Sequence, residues 1–212
     1  MKLWFGPFLS CLLLALATPM RADAPAPVVL FLGDSLTAGY GLEAGEAYPT
    51  RVQELAAADG VTLTVVNAGL SGDTTAGGVR RLPWLLRQPL DVLVLALGAN
   101  DGLRGLPLDH TRANLQAIVD QVRARQPKVR IILAGMQVPP NLGPEYTAGF
   151  RRLFPELAEK NRLLLVPFLL EGVGGVPELN LADGLHPNAA GQKVLAANVW
   201  KVLQPVVREP PR

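Results

Sequence analysis

Five short apolar runs alternate with segments of helical periodicity along this chain, and that alternation restricts the fold more than any other feature. Each run is a nearly continuous stretch of four to six apolar residues, as is typical of a strand buried on both faces of a sheet. Strands separated by helices predict parallel βαβ units and a three-layer α/β/α sandwich. The predicted strands span residues 28–32, 61–66, 92–97, 129–134 and 163–166.

Capping and breaking residues indicate where the intervening helices begin and end. Gly60 has the character of a C-cap, Asp73 that of an N-cap, and Pro127 that of a helix stop. The predicted helices span residues 48–59, 74–86, 146–160 and 188–203, with a further helix that ends before Pro127.

The amino-terminal segment has the features of a secretory signal peptide. Lys2 supplies a positive charge, residues 8–17 are apolar and uncharged, and Ala15-Leu16-Ala17 is an A-x-A cleavage signal. We predict cleavage after Ala17, a periplasmic or secreted location, and no stable membrane anchor in the mature protein. The chain then divides into a signal peptide (1–17), a Pro/Ala-rich leader (18–27), a folded domain (28–205) and a polar tail (206–212).

Two other interpretations of this segment stay open on the sequence. The apolar stretch could be an uncleaved anchor, although Pro7 and its short length make it a poor membrane span. Cys11 could resemble a lipid-modified cysteine, but most of the apolar run follows it. Cleavage after Ala17 leaves a mature chain without cysteine, which excludes thiol catalysis, cysteine metal sites and disulfides.

The balance of basic and acidic residues limits the kinds of partner that the protein is expected to bind. The chain has 20 Lys and Arg against 18 Asp and Glu, with both signs interspersed. Such a balance gives no indication of nucleic-acid binding. We expect a monomer whose partner is a small molecule.

The segments that follow the predicted strands are rich in glycine and polar residues. Ligands of open α/β sheets bind at the carboxyl ends of the strands, so these segments should form one site. Ser35 follows the first strand and is a candidate nucleophile. The alternative for Ser35 is helix capping, the common role of serine at such a junction.

A serine nucleophile needs a general base, and the chain has two histidines. His186 follows Asp183 by three residues, which allows the carboxylate to fold back onto the imidazole; the alternative is an ordinary turn before a helix. His110 lies at the start of a polar helix and is interpreted as a solvated residue.

Acyl transfer also needs hydrogen-bond donors for the oxyanion of the tetrahedral intermediate. Asn100 offers a side-chain amide, and Gly72 offers a backbone N–H that no side chain obstructs. Each of these residues also fits a simple turn. The combination favours a serine hydrolase, since all of these groups fall at strand ends or in the last loop.

These residues form four ordered blocks that resemble the signature of the SGNH (GDSL) hydrolases. The resemblance is closest to the secreted arylesterase, thioesterase I and lysophospholipase L1 branch, and it extends along nearly the whole mature chain. The matching blocks are Gly33-Asp34-Ser35-Leu36, Gly72, Gly98-x-Asn100-Asp101 and Asp183-x-x-His186.

The resemblance implies a role for each residue. Ser35 would be the nucleophile, His186 the general base and then the general acid, and Asp183 the residue that orients His186. The oxyanion donors would be the N–H groups of Ser35 and Gly72 and the side chain of Asn100. The implied substrates are aryl esters, acyl thioesters and lysophospholipids, with no metal or organic cofactor. The implied fold is a flavodoxin-like sandwich of five parallel strands in the order 2-1-3-4-5.

Two apolar segments are candidates for the acyl-binding surface. They follow the third and fourth strands, and their alternative is ordinary loop packing. The candidate substrate-binding residues are Leu103, Leu106, Pro107, Met136, Val138 and Pro139.

Other classes of function fit less well. The glycines after the first strand match neither the dinucleotide nor the P-loop spacing, and the histidines lack a metalloprotease arrangement. A non-catalytic periplasmic binding module stays open, as does a carbohydrate acetyl-esterase of the same family.

Overall fold

A parallel five-stranded sheet forms the centre of the computed structural model, which describes residue 1 and residues 25–209. The order of the strands across the sheet is β2-β1-β3-β4-β5, so the predicted order is confirmed. The strands are β1 (Val28–Gly33), β2 (Thr64–Gly69), β3 (Val92–Ala96), β4 (Arg130–Ala134) and β5 (Leu164–Val166).

Helices cover both faces of the sheet and complete the predicted α/β/α sandwich. On the described part of the chain α2 packs against α7, α3 against α5, and α5 against α6. The helices are α1 (Ser35–Ala38), α2 (Tyr48–Ala58), α3 (Thr75–Leu85), α4 (Ala99–Leu103), α5 (Leu108–Arg125), α6 (Pro144–Asn161) and α7 (Ala189–Arg208). Short 3-10 helices cover Ala44–Glu46, Pro140–Leu142 and Pro177–Leu179.

The core lies around the three central strands, whose residues are almost all buried. The second predicted strand begins later, and is less buried, than its apolar run indicated. It begins at Thr64 rather than at residue 61, and it is an edge strand that is only partly buried, with Val66 39% exposed. An edge strand has a neighbouring strand on one flank only, so its residues are more exposed than those of a central strand. A run of valines alone does not distinguish the two positions.

Most of the predicted helix ends are displaced by one or two residues, and two differences have a clear structural reason. Thr74, not Asp73, caps α3 by accepting the N–H of Gly77 at 3.3 Å. The last helix continues through Pro205 to Arg208, so the tail predicted from residue 206 begins too early. Val206 and Val207 are buried, and this packing extends the helix beyond its proline.

The predicted signal peptide and most of the predicted leader lie outside the described residues. Met1 and residues 25–27 are the exceptions. Among the helices of the described part, none has both the length and the apolar composition needed to cross a membrane.

Candidate active site

Ser35 is the first residue of α1, two positions beyond the end of β1. The cap of this helix is Asp34, whose Oδ1 accepts the N–H of Leu36 at 3.0 Å. The capping role considered for Ser35 is therefore filled by its neighbour. The Ser35 hydroxyl is left at the carboxyl edge of the sheet, where it lines a cavity.

The loop before α7 brings His186 to Ser35. Nε2 of His186 lies 2.9 Å from Oγ of Ser35, although the two residues are 151 positions apart in the chain. Nδ1 of the same ring lies 2.7 Å from Oδ2 of Asp183. Ser35, His186 and Asp183 thus form a continuous array, and a proton can pass from the hydroxyl to the imidazole.

Asp183 is fixed by the backbone of its own loop. Its Oδ1 accepts the N–H groups of Leu185 and His186 at 2.9 and 3.0 Å. Gly184, between Asp183 and Leu185, has a φ of 67° and supplies the left-handed turn that this requires. The N–H of His186, followed by that of Leu185 and the imidazole, lowers the pKa of Asp183 to about 2. The carboxylate is consequently ionised at neutral pH and oriented towards Nδ1.

Asn100 is hydrogen-bonded to the loop that contains Gly72. Asn100 lies in the first turn of α4, and its Nδ2 donates to the carbonyl of Asp73 at 3.0 Å. Gly72 precedes Asp73 and has a φ of 78°, a conformation that favours glycine. An amide nitrogen has two N–H groups, so the one bond to Asp73 leaves the second available to a ligand.

Arg81 of α3 holds the loop that contains Gly72 and Asp73 against the sheet. This residue was not identified from the sequence. Its Nε binds Oδ2 of Asp73 at 2.7 Å, while its terminal nitrogens donate to the carbonyls of Ala68 at 2.7 Å and Gly33 at 2.8 Å. One guanidinium thereby joins the ends of β1 and β2 to the loop that contains Gly72. The spacing of eight residues between Asp73 and Arg81, about two helical turns, was the available signal.

A cavity of 580 Å³ opens beside Ser35, Asn100 and His186. Leu103, Val138 and Pro139 line it, whereas Leu106, Pro107 and Met136 do not. Met136 is buried in the core. The remaining wall includes residues from the segment after β5 and the histidine loop that the sequence analysis did not single out: Phe168, Leu170, Gly174, Gly175, Asn180 and Leu185.

His110 lies elsewhere on the molecule. It occupies the first turn of α5 and is exposed, as expected for a solvated residue. His186 is the histidine that faces the cavity.

Asp34 is a buried carboxyl group directly behind the candidate nucleophile. Within residues 25–209 its Oδ2 has no hydrogen-bond partner. Burial is the main reason that the pKa of Asp34 is raised to about 6, against the lowering effect of the Leu36 N–H. The folded protein therefore binds this proton more tightly than the unfolded chain does.

We expect the Asp34→Asn substitution to change how stability depends on pH. Above pH 6 the wild type carries the cost of a buried charge, and this cost disappears as the pH falls from about 6 towards 4. The variant lacks this titration. Its free energy of unfolding, relative to wild type, should therefore be higher at pH 8 than at pH 4, by about 2.5 kcal/mol.

Urea unfolding at both pH values measures this difference. Asp109→Asn, at an exposed carboxyl group of α5, is the matched control. A relative stability of Asp34→Asn that is the same at pH 4 and pH 8 would contradict the assignment of a buried, proton-binding Asp34.

The fold and the site together define a class of protein: an α/β/α sandwich with a serine, a histidine and an aspartate in series at the carboxyl edge of its sheet. The model of the GDSL-like lipase/acylhydrolase family matches residues 31–194. That match covers most of the chain, and the protein belongs to this family.

Curated relatives cover nearly the whole chain. Esterase TesA of Pseudomonas aeruginosa is 43% identical over 93% of this chain and 96% of its own length. The thioesterase 1/protease 1/lysophospholipase L1 of Escherichia coli K12 is 39% identical over 96% of this chain and 94% of its own.

Solved structures of esterases are also similar to this protein over most of its chain. A crystal structure of TesA superposes with a TM-score of 0.80 at 42% identity, covering 84% of this chain and 99% of that one. The psychrotrophic esterase EstA from Pseudoalteromonas sp., inhibited by monoethylphosphonate, has a TM-score of 0.80 at 32% identity and covers 86% and 99%.

Proposed function

We propose that this protein is a serine hydrolase that cleaves carboxylic esters and thioesters through an acyl-Ser35 intermediate. The observation that carries the proposal is the array from Ser35 Oγ through the His186 imidazole to the Asp183 carboxylate, with contacts of 2.9 and 2.7 Å. The names of the relatives support the substrate class, which includes aryl esters, acyl thioesters and lysophospholipids.

Acylation begins when Oγ of Ser35 attacks the substrate carbonyl carbon. Nε2 of His186 accepts the hydroxyl proton, and the ionised Asp183 stabilises the imidazolium through Nδ1–H. His186 then donates the proton to the departing alcohol or thiol. Water then enters, gives a proton to the same nitrogen and attacks the acyl carbon. His186 returns this proton to Oγ of Ser35 as the C–O bond breaks, which releases the acid and restores Ser35.

Negative charge develops on the carbonyl oxygen in both steps. We assign its stabilisation to the N–H groups of Ser35 and Gly72 and to the second N–H of Asn100. The bond from Asn100 to the Asp73 carbonyl fixes the side chain before substrate arrives, so its orientation costs little during the reaction.

Replacement of Asn100 by alanine should lower kcat by about 10²- to 10³-fold, the usual effect of losing one oxyanion donor. Steady-state hydrolysis of p-nitrophenyl butyrate measures it. Gln53→Ala is the matched control, because the side-chain amide of Gln53 on α2 also donates to a backbone carbonyl, that of Leu63, but just before β2 at the amino edge of the sheet. If Asn100→Ala kept kcat within threefold of wild type, Asn100 would not be an oxyanion donor.

The size and lining of the cavity favour a substrate with a longer acyl chain over one with an acetyl group. Its volume of 580 Å³ and the apolar side chains of Leu103, Val138 and Phe168 suit a flexible hydrocarbon. A panel of aryl esters, acyl-CoA thioesters and lysophospholipids of graded chain length tests this. We expect kcat/KM to rise with chain length beyond acetyl, and activity confined to acetylated carbohydrates would contradict it.

We further propose that the protein is exported with residues 1–17 as its signal peptide and acts as a monomer in the periplasm or the medium. The charge, apolar stretch and A-x-A motif of this segment support export. Amino-terminal sequencing of the mature protein should give Thr18 first, and sedimentation should give the mass of one chain. A mature protein that retains Met1 would contradict the proposed cleavage.

A further inference from the structure

We propose that Tyr40 is a positioning residue for His186, an inference that rests on the proposed function. The two rings are in contact, with centroids 4.4 Å apart and planes inclined at 36°. The tyrosine holds the imidazole at the angle from which Nε2 accepts the proton of Ser35. The role belongs to the face of the ring and not to its hydroxyl group.

The hydrogen bonds of His186 leave one motion free. Asp183 contacts Nδ1 and Ser35 contacts Nε2, and both bonds lie at the edge of the imidazole. Neither bond strongly resists a small displacement perpendicular to the plane of the ring, because such a displacement changes both distances very little. A contact against the face of the ring does prevent it, and Tyr40 supplies that contact.

Tyr40 is itself tied to the nucleophile. Its backbone N–H donates to the carbonyl of Ser35 at 3.1 Å. Gly39 makes this possible, because its φ of 75° reverses the chain directly after α1. Tyr40 therefore connects the turn that contains Ser35 with the histidine of the distant loop.

The exposure of Tyr40 also favours a role at the site over a role in the core. Its side chain is 50% exposed, so burial contributes only part of the stabilisation that a core tyrosine gives. The cavity wall beside Ser35 does not include Tyr40, whereas it includes His186. Tyr40 thus contacts the base without forming part of the substrate cavity.

The same contact assists the chemical step. His186 becomes an imidazolium when it accepts the serine proton, and an aromatic face close to a cation is attractive. The interaction is stronger in the transition state than in the resting enzyme, so its loss should lower kcat rather than raise KM.

The experiment compares Tyr40→Leu and Tyr40→Phe with wild type on p-nitrophenyl butyrate. We expect Tyr40→Leu to lower kcat about tenfold with KM changed less than twofold, through lost alignment and lost attraction to the imidazolium. Tyr40→Phe retains the ring and should keep at least half of kcat. Trp84→Leu, at a more exposed aromatic residue of α3, is the matched control and should leave kcat unchanged.

Thermal unfolding is measured on every variant, and Tyr40→Met provides a second non-aromatic replacement should Tyr40→Leu unfold. A kcat for Tyr40→Leu equal to wild type overturns the inference, as does a loss in Tyr40→Phe as large as that in Tyr40→Leu. A higher KM at unchanged kcat overturns it too, because that result assigns Tyr40 to substrate binding.

Ser35→Ala, assayed in parallel, separates this inference from the proposed function. If Ser35→Ala is inactive and Tyr40→Leu is fully active, only the role of Tyr40 fails. If Ser35→Ala stays active, the serine mechanism fails, and with it the assignment of Tyr40.

Discussion

Replacement of Ser35 by alanine should abolish ester hydrolysis, with kcat for p-nitrophenyl butyrate falling about 10⁶-fold, towards the uncatalysed rate. The reason is that the variant has no oxygen to form the acyl intermediate, while the oxyanion donors and the substrate cavity contribute only a small residual acceleration. The fold should persist, since Asp34 and not Ser35 provides the cap of α1.

Ser71→Ala is the control for this experiment, because Ser71 is the other serine beyond the predicted signal peptide. It should hydrolyse the ester at a rate close to that of wild type. Circular dichroism checks that both variants are folded. An activity of Ser35→Ala within tenfold of wild type would end the proposal of a serine nucleophile.

His186→Gln should cause a loss of about 10⁴- to 10⁶-fold in kcat. Glutamine can hydrogen-bond to the Ser35 hydroxyl but cannot accept its proton, so the nucleophile is no longer activated. Serine and histidine act as a unit, and the double variant with Ser35→Ala should be little worse than either single variant. His110→Gln, at an exposed histidine of α5, is the matched control.

The pH dependence of the wild type provides a second test of the same base. The base must be neutral to accept a proton, so kcat/KM should rise with pH between about 5 and 8, the range in which histidine side chains change charge. Asp183 stays ionised throughout this range, because its pKa is lowered to about 2. A rate that is constant from pH 5 to 9 would be incompatible with histidine as the general base.

Much of the fold could be predicted from local patterns. Alternating apolar runs and helical segments indicated the α/β/α sandwich, because each element type has its own hydrophobic period. The order of the strands followed only from the resemblance to a family, since periodicity does not determine which strands are neighbours. The partial burial of β2 did not follow from its apolar run, because burial depends on the position of a strand in the whole sheet.

The candidate site divides in the same way. Ser35, Asn100, Asp183 and His186 could be identified because strand ends converge and because Asp183 lies three residues before His186 in one loop. Leu106, Pro107 and Met136 were singled out with Leu103 because they follow the same strand ends, but the cavity wall does not include these three. Position in the chain does not determine the direction of a loop side chain.

Contacts between distant segments account for the residues that sequence reasoning did not find. Arg81 acts on two carbonyl groups and a carboxylate from three different segments, and no local pattern encodes such a contact. Tyr40 meets His186 only after the last loop has folded back onto the first strand. Phe168 and Leu170 follow the short edge strand β5, where the sequence lacks the glycine and polar residues that come directly after the other strands.

Mass spectrometry of the protein after reaction with a fluorophosphonate ester tests directly whether Ser35 is the activated nucleophile. The reagent phosphonylates a serine oxygen only when a base removes its proton and donors stabilise the oxyanion. We expect one adduct per chain, on the peptide that contains Ser35, with loss of activity in proportion to labelling and no adduct in Ser35→Ala. Full hydrolytic activity in a protein that carries no adduct, or an adduct on a different residue, would contradict it.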